Sequence, residues 1–151
     1  MGNAIAERPE LFAAAVINVG VLNPLRFETT ANGPPNIPEF GSVKTEDGFK
    51  GLLAMDAYTK IRNNTAYPAV LLTHGINDPR VEPWLSAKMA ARLQVATTSG
   101  KPVWLRIEYD SGHGFGTSKR RRNEEQTDIY ALLFEQLTAA DAKVKQAARA
   151  H

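Results

Sequence analysis

One short apolar segment, with the polar loop that follows it, constrains the fold more than any other part of this chain. Residues 69–73 are all apolar or β-branched and lie between Pro68 and Gly75. A run this short is typical of a buried strand in a parallel sheet and is too short for a helix. Asp78 follows the carboxyl end of this strand, where open α/β sheets place ligands and catalytic groups. The segment therefore predicts an α/β fold with a site at this edge.

A second predicted strand ends close to a histidine that is flanked by glycines. This strand covers residues 103–109, and His113 follows it between Gly112 and Gly114. Two strands joined by a helical crossover are expected to be parallel neighbours, so Asp78 and His113 would leave the same edge of one sheet. Either residue could be a simple turn-former, but the pair at matching strand ends favours a carboxylate that orients an imidazole.

The remaining segments supply the other layers of a small, mainly parallel sheet of about three strands flanked by helices. The further predicted elements are the end of a helix at residues 2–12, a strand at 13–19, an irregular loop at 23–41, and helices at 46–58, 83–96 and 123–137. Four prolines exclude regular structure from the loop, whose length is typical of a lid or binding loop. The inward-facing residues of the three later helices are predicted to be Phe49, Leu52, Leu53 and Met55; Leu85, Met89 and Leu93; and Ile129, Leu132, Leu133 and Leu137. Residues 138–151 are expected to form a helical or frayed tail.

Composition limits the classes of function. The 151 residues, of which 43% are hydrophobic, suit one domain over residues 1–151 with its own core. The net charge of +2 is spread along the chain, so no basic field points to nucleic acid. The absence of cysteine excludes disulfides, thiolate metal sites and a cysteine nucleophile. No apolar run could span a membrane and the first residues lack a signal-peptide pattern, so a cytoplasmic protein without membrane partners is expected.

Two other interpretations of the charged and polar residues are weaker. His74, Asp78 and His113 could be imagined as metal ligands, but no second carboxylate stands at a fixed spacing from them, so neither a metal nor another cofactor is expected. The basic run at residues 119–122 could contact phosphates. It precedes an acidic pair at residues 124–125, however, and this order is more typical of a solvated helix start than of a nucleic-acid site.

Four motifs occur together in one order. They are Glu-Arg-Pro-Glu-Leu-Phe at residues 7–12, Pro-Glu-Phe-Gly at 38–41, Leu-Leu-Thr-His-Gly-Ile-Asn-Asp-Pro-Arg-Val at 71–81 and Gly-His-Gly at 112–114. From about residue 3 to residue 137, the chain resembles the C-terminal part of the catalytic domain of the prolyl oligopeptidase family, serine peptidases with an α/β-hydrolase fold. The resemblance implies a partial α/β-hydrolase fold and a peptide substrate. It also implies that Asp78 is the triad acid and His113 the triad base. Arg80 would line the substrate site, bonding a substrate carbonyl, and Val81 and Phe40 would wall the pocket for the residue before the scissile bond.

Two departures from the family pattern bear on activity. The nucleophile of such hydrolases lies on a Gly-x-Ser-x-Gly elbow, and none of the five serines of this chain has that frame. The family's serine is expected to fall shortly before Met1, so the chain alone is expected to be inactive, because a triad without its nucleophile loses several orders of magnitude in rate. The aromatic residue that stacks on the substrate proline in well-known members falls near Asn36, which cannot stack in that way.

The strand at residues 13–19 is expected to be an unpaired apolar edge, and such edges recruit partners. A homodimer or larger assembly is therefore predicted. Three hypotheses remain open for the chain as a whole: a family fragment without activity, a small hydrolase or esterase that takes its serine from a partner chain, or a non-enzymatic binding or assembly module that reuses half of the fold.

Overall fold

A three-stranded parallel sheet forms the centre of the fold. The computed structural model describes residues 1–114 and 117–149, with side chains up to Thr138. The strands are β1 (Ala14–Asn18), β2 (Ala69–Gly75) and β3 (Val103–Glu108), and they lie in the order β1-β2-β3. All seven residues of β2 are buried, as expected for the central strand of a parallel sheet. The prediction of a small parallel sheet of about three strands is confirmed.

Helices occupy both sides of this sheet. They are α1 (Gly2–Glu7), α2 (Pro24–Phe27), α3 (Ile37–Phe40), α4 (Glu46–Met55), α5 (Ala57–Lys60), α6 (Trp84–Ala96) and α7 (Lys119–Arg149), with short 3₁₀ turns at Pro9–Leu11 and Pro34–Asn36. The crossover helix α6 begins after Pro83 and buries Leu85, Met89 and Leu93, so its predicted inward stripe is confirmed.

Alternation along the strands divides the core between the two sides of the sheet. On the α6 side, one large apolar cluster includes Ile17, Leu72 and Val103 together with Met89 and Leu93. On the other side, a smaller cluster is centred on Ala69, Leu71 and Leu132, and Ala14 and Ile129 pack against it. The sheet is therefore covered more extensively by α6 and its neighbours than by α7.

The segment at residues 23–41 corrects the prediction of an irregular loop. It contains α2, α3 and a 3₁₀ turn, and each of these has a proline at its first turn. Proline is tolerated there because the first N–H groups of a helix have no internal partner and the fixed φ suits a helix start. The prolines that were expected to exclude regular structure instead begin three short helical turns.

The helix predicted at residues 46–58 is two helices, because Asp56 ends one and caps the next. The Asp56 side chain is buried and accepts a hydrogen bond from the backbone N–H of Thr59 at 2.9 Å. Of the four residues predicted to face inward, only Leu52 is buried. Phe49, Leu53 and Met55 are 40–43% exposed, so their assignment to the core was wrong.

The last helix begins four residues earlier than predicted, at Lys119, and continues to Arg149, through the segment that was expected to be a helical or frayed tail. Its Leu132 is buried, as predicted, but Leu137 is 53% exposed and does not belong to the core. Ile129 and Leu133 are half-buried. The apolar residues of α7 therefore cover the sheet over a shorter length than the sequence pattern indicates. Residues 150 and 151 lie outside the described part of the chain.

Candidate active site

The Asp78 carboxylate is held in a tight turn just after β2. Its side chain has no exposed surface. One carboxylate oxygen, Oδ1, accepts hydrogen bonds from the backbone N–H groups of Arg80 at 2.8 Å and Val81 at 3.0 Å. The turn therefore uses the carboxylate to satisfy its own backbone, which fixes the direction in which the second oxygen points.

These bonds decide the protonation state of Asp78. Burial by itself raises the pKa of the carboxyl. Hydrogen bonds from the backbone of Val81 and Arg80, and then from His113, outweigh burial and hold the pKa of Asp78 below its ordinary value. The residue is thus an anion at neutral pH.

His113 meets the second oxygen of this carboxylate. Its Nδ1 lies 2.8 Å from Asp78 Oδ2, and 27% of its side chain is exposed. An ionised carboxylate only accepts hydrogen bonds, so Nδ1 carries the proton that is donated to Asp78. In the neutral ring, Nε2 is then the nitrogen that can accept a proton. The acid and the base predicted from the sequence are therefore in direct contact at one edge of the sheet.

Backbone contacts join the two loops that carry this pair. The N–H of Asn77 donates to the carbonyl of Ser111 at 3.1 Å, and the N–H of Ile76 donates to Glu108 at 3.0 Å. At Gly75 the two loops touch so closely that a Cβ atom would lie 2.3 Å from the carbonyl oxygen of Gly112. Only glycine fits at this crossing, so the approach of the loops depends on it.

The structure adds a buried histidine and a buried serine that the sequence interpretation did not place in the site. His74 Nδ1 lies 2.7 Å from Ser86 Oγ, and His74 Nε2 lies 2.8 Å from the carbonyl oxygen of Val81. The same Nε2 is 3.4 Å from Asp78 Oδ2. The sequence does contain one indication that His74 is buried and hydrogen-bonded. Strand alternation puts His74 on the same side of the sheet as Leu72, and a polar ring buried in that apolar layer needs hydrogen-bond partners.

The three residues predicted to bind substrate lie at different depths. Arg80 is exposed on the acid turn, and its carbonyl accepts a hydrogen bond from Asn32 at 3.1 Å. Val81 is buried in a small cluster with Phe27 and Leu85. The exposed fraction of Phe40 is 39%.

An apolar pocket lies beside the acid turn. Phe40, Phe27, Ile37 and Leu52 line it, and Asn36 lies on the same wall. Because Phe27 also packs with Val81, it connects the pocket to the acid turn. Phe40 and Asn36 therefore line one pocket, whereas Val81, which was predicted to wall it, packs against Phe27 and does not line it. The sequence interpretation did not identify Phe27 as a wall residue.

The two weaker interpretations of the sequence, a metal site and a nucleic-acid site, involve residues near this edge of the sheet. In residues 1–114 and 117–149, no group of three acidic or histidine side chains is arranged to hold a metal ion. The basic run at the start of α7 contains Arg121, which forms ion pairs with Glu108, Asp110 and Glu124. Over the same part of the chain, no helix has the length and apolar character needed to cross a membrane.

Comparisons with known proteins agree with this architecture. The model of the prolyl oligopeptidase family matches residues 1–140. A prolyl endopeptidase from Dictyostelium discoideum is 32% identical over 133 residues, which are 86% of this chain and 18% of that protein. A dipeptidyl aminopeptidase BI from Pseudoxanthomonas mexicana is 26% identical over 140 residues, 93% of this chain and 19% of that protein.

Solved structures show the same relationship. A structure from a study of two prolyl endopeptidases matches with a TM-score of 0.86 and 34% identity, over 91% of this chain and 20% of that one. Prolyl oligopeptidase B from Galerina marginata matches with a TM-score of 0.83 and 27% identity, over 90% of this chain and 19% of that one. The chain spans about one fifth of the length of these relatives. With its central strand, acid turn and histidine loop in this arrangement, the chain belongs to the prolyl oligopeptidase family.

Proposed function

We propose that Asp78 and His113 are the acid and the base of a serine-peptidase triad that hydrolyses peptide bonds. The observation that carries this proposal is the 2.8 Å contact between His113 Nδ1 and Asp78 Oδ2 at the carboxyl edge of the sheet. The lowered pKa of Asp78 supports it, because an ionised carboxylate is what an imidazole base requires beside it.

On this proposal, each partner has a distinct role. Nε2 of His113 takes the proton from a serine hydroxyl as that oxygen attacks the peptide carbonyl, and it returns the proton to the leaving amine. Asp78 keeps the ring in the tautomer with the proton on Nδ1 and stabilises the imidazolium that forms. The partial exposure of His113 supports this role, since substrate and nucleophile must both reach Nε2.

The nucleophile is proposed to come from residues other than the five serines of this sequence. Each of these serines has another hydrogen-bond partner: Ser42 bonds Glu28, Ser86 bonds His74, Ser99 bonds Thr97, Ser111 bonds Thr117, and Ser118 accepts from the backbone of Arg121. On this proposal the chain alone retains an acid–base pair and no peptidase turnover.

The pocket beside the acid turn is proposed to receive the residue before the scissile bond. Phe40 and Phe27 make its wall apolar. Arg80, which is exposed on the acid turn, is proposed to bond a substrate carbonyl. The relatives include proteins named prolyl endopeptidase. With Asn36 on the pocket wall, we expect a weaker preference for proline than an aromatic side chain would give, because an amide offers no ring face for stacking.

An activated ester tests the acid–base pair without requiring a serine. A p-nitrophenyl ester is cleaved slowly by an accessible imidazole, so the purified chain should show a low hydrolysis rate above buffer. His113→Gln should lower that rate, and Asp78→Asn should lower it by a smaller factor. His151→Gln, which removes another of the three histidines, is the matched control and measures the contribution of an imidazole outside the pair, which should be smaller than the loss in His113→Gln. Equal rates for wild type and His113→Gln would refute the proposed base.

Labelling with a fluorophosphonate, followed by intact-mass measurement, tests the second part of the proposal. Such probes form a covalent adduct with an activated serine. We expect no adduct on the chain alone and no burst of product from a fluorogenic peptide amide. An adduct at one of the five serines would show that the chain carries its own nucleophile, and the proposed origin of the serine would be wrong.

We also propose self-association through the free side of β1. This strand pairs with β2 on one side, and within the described residues no strand pairs with its other side. The carbonyl of Ala13 and the N–H of Val19 form backbone hydrogen bonds with β2. Because bonding groups alternate along a strand, the N–H groups of Ala14, Val16 and Asn18 point to the free side. Light scattering should detect an oligomer that Val16→Pro abolishes and Val16→Thr preserves. A monomer at all concentrations would contradict the proposal.

A further inference from the structure

The buried pair of His74 and Ser86 lies directly behind the acid turn. His74 is the sixth residue of β2 and is 3% exposed, while Ser86 lies in the first turn of α6 and is fully buried. Both ring nitrogens of His74 are occupied, Nδ1 by Ser86 Oγ at 2.7 Å and Nε2 by the carbonyl of Val81 at 2.8 Å. The ring therefore bridges a strand, a helix and the last residue of the turn that holds Asp78.

The partners of His74 determine its tautomer. A backbone carbonyl only accepts, so the contact with Val81 requires a proton on Nε2. In the neutral ring, Nδ1 is then an acceptor and receives the hydroxyl proton of Ser86. The hydrogen bond from the Ser86 hydroxyl thus favours the one tautomer of His74 that can donate to the carbonyl of Val81.

The hydrogen bond from His74 to the carbonyl of Val81 holds the last residue of the acid turn. The Asp78 Oδ1 atom accepts from the N–H groups of Arg80 and Val81, so the carboxylate already holds the turn from within. His74 holds the carbonyl of Val81, and its Nε2 also lies 3.4 Å from Asp78 Oδ2, the oxygen that meets His113. Rotation of the carboxylate away from His113 would break bonds on both sides.

We propose that His74, kept in its tautomer by Ser86, is a positioning residue that directs Asp78 Oδ2 toward His113. This inference rests on the proposed function, since it concerns the acid of that acid–base pair. A purely packing role for His74 and Ser86 would affect the free energy of unfolding but would leave the proton position on His113 unchanged.

The nitrogen-15 NMR spectrum of the histidine rings provides a readout that needs no turnover. The full chain is labelled with ¹⁵N-histidine and measured in alkaline buffer, where an ordinary imidazole is neutral and its two nitrogens report which one carries the proton. In the wild type we expect His74 to be protonated on Nε2 and His113 on Nδ1. His151→Gln identifies the third ring. Proton occupancy on His74 Nδ1 in the wild type would overturn the proposal without any variant of the site.

Removing the hydroxyl of Ser86 tests the positioning role. In Ser86→Ala, His74 should become a mixture of the Nδ1- and Nε2-protonated tautomers. His113 should likewise change from the Nδ1-protonated form toward a mixture of tautomers. Thr73→Val is the matched control, because Thr73 is buried in the same strand and its hydroxyl has no hydrogen-bond partner. It should leave both rings unchanged. His74→Gln is the second variant, and it serves as the test if Ser86→Ala does not fold. It should produce the same mixture of tautomers at His113.

The outcomes separate this inference from the proposed function. Asp78→Asn must disturb the tautomer of His113 if the acid–base pair exists at all, and no effect there would refute the pair itself. If Asp78→Asn disturbs His113 while both Ser86→Ala and His74→Gln fold and leave His113 on Nδ1, the pair stands and the positioning role of His74 is wrong.

Discussion

The acid turn and the histidine loop reach the same contact by different means. In the acid turn, residues 78–81, the carboxylate is inaccessible to solvent, and it accepts two backbone bonds in addition to the bond from His113. In the histidine loop, residues 110–114, the side chain is 27% exposed and is joined to the turn by one hydrogen bond from Nδ1. The backbone of the loop includes Gly114 in a left-handed conformation, with φ of +81°.

The difference predicts which partner fixes the other. Asp78 is expected to keep its position without His113, because two backbone hydrogen bonds of its own turn hold the carboxylate. His113 lies on a glycine-flanked loop and depends on Asp78 for its orientation. A histidine that accepts and returns a proton, as is proposed for His113, benefits from a fixed acid and a more accessible base. Substitutions on the two sides should therefore have unequal effects.

The largest effect is expected where the two loops cross. Gly75→Ala would place a Cβ atom 2.3 Å from the carbonyl oxygen of Gly112 and 2.5 Å from that of Ser111, and both contacts are with backbone. The loops would have to separate, so we expect a loss of about 3 kcal/mol in the free energy of unfolding, at the upper end of the usual cost of overpacking, measured with urea. The control is Gly51→Ala on α4, where a Cβ meets no atom of residues 1–114 or 117–138 within 4 Å and should stabilise the helix by about 0.5–1 kcal/mol.

A similar stability for both glycine variants would contradict the close crossing of the loops.

The next largest effect should distinguish the acid turn from the histidine loop directly. Asp78→Ala leaves the N–H groups of Arg80 and Val81 without their acceptor in a buried turn, so we expect a loss of about 2–3 kcal/mol. His113→Ala removes one hydrogen bond from a partly exposed ring and should cost less than about 1 kcal/mol. Urea unfolding of both variants measures the asymmetry, and equal losses would show that the loop holds the turn as firmly as the turn holds the loop.

The pH dependence of stability should also depend on the acid turn. The folded-state pKa of Asp78 is lowered, so its ionised form stabilises the fold above its unfolded pKa of about 4. This contribution is lost as the pH falls through the folded-state pKa. Asp78→Asn keeps an oxygen for the two backbone bonds but cannot ionise. The difference in unfolding free energy between wild type and this variant should be largest near neutral pH and should shrink toward acid.

A difference that stays constant down to acid pH would show that the ionisation of Asp78 does not contribute to stability.

The sequence was sufficient for the part of the site that depends on strand order. Residues 69–73 are apolar throughout, so their burial in a parallel strand follows from composition, and parallel strands joined by a crossover bring Asp78 and His113 to one edge. The roles of these two residues in catalysis stay predictions until the substitutions are made. Short helical turns were missed because proline marks both loops and helix starts, and Pro24 and Pro38 are of the second kind.

The His74–Ser86 pair behind the acid turn could not be predicted from the sequence, because it depends on a contact between side chains of two different elements. Ser86 was considered only as a possible nucleophile and His74 only as a possible metal ligand. Their mutual distance of 2.7 Å follows from how α6 packs on β2, and no spacing in the sequence encodes that packing. The exposure of Phe49 and Leu53 was missed for a related reason, since a helical stripe shows which residues share a face but not how much of that face is covered.

A small effect on stability is expected at the end of the histidine loop. Gly114→Ala puts a Cβ at a position with φ of +81° where no atom of the described residues lies within 4 Å, so we expect a cost of about 1 kcal/mol from backbone strain. Gly100→Ala is the matched control, because Gly100 also has a positive φ, of +68°, has no atom of the described part of the chain within 4 Å, and lies in the turn before β3.

Both variants should lose similar amounts of stability in urea, yet only Gly114→Ala should slow the cleavage of the p-nitrophenyl ester, since it alone displaces the backbone next to His113. Equal ester cleavage by the two variants would mean that the hydrogen bond to Asp78 fixes the ring even when its loop is distorted. The acid turn would then determine the geometry of both partners.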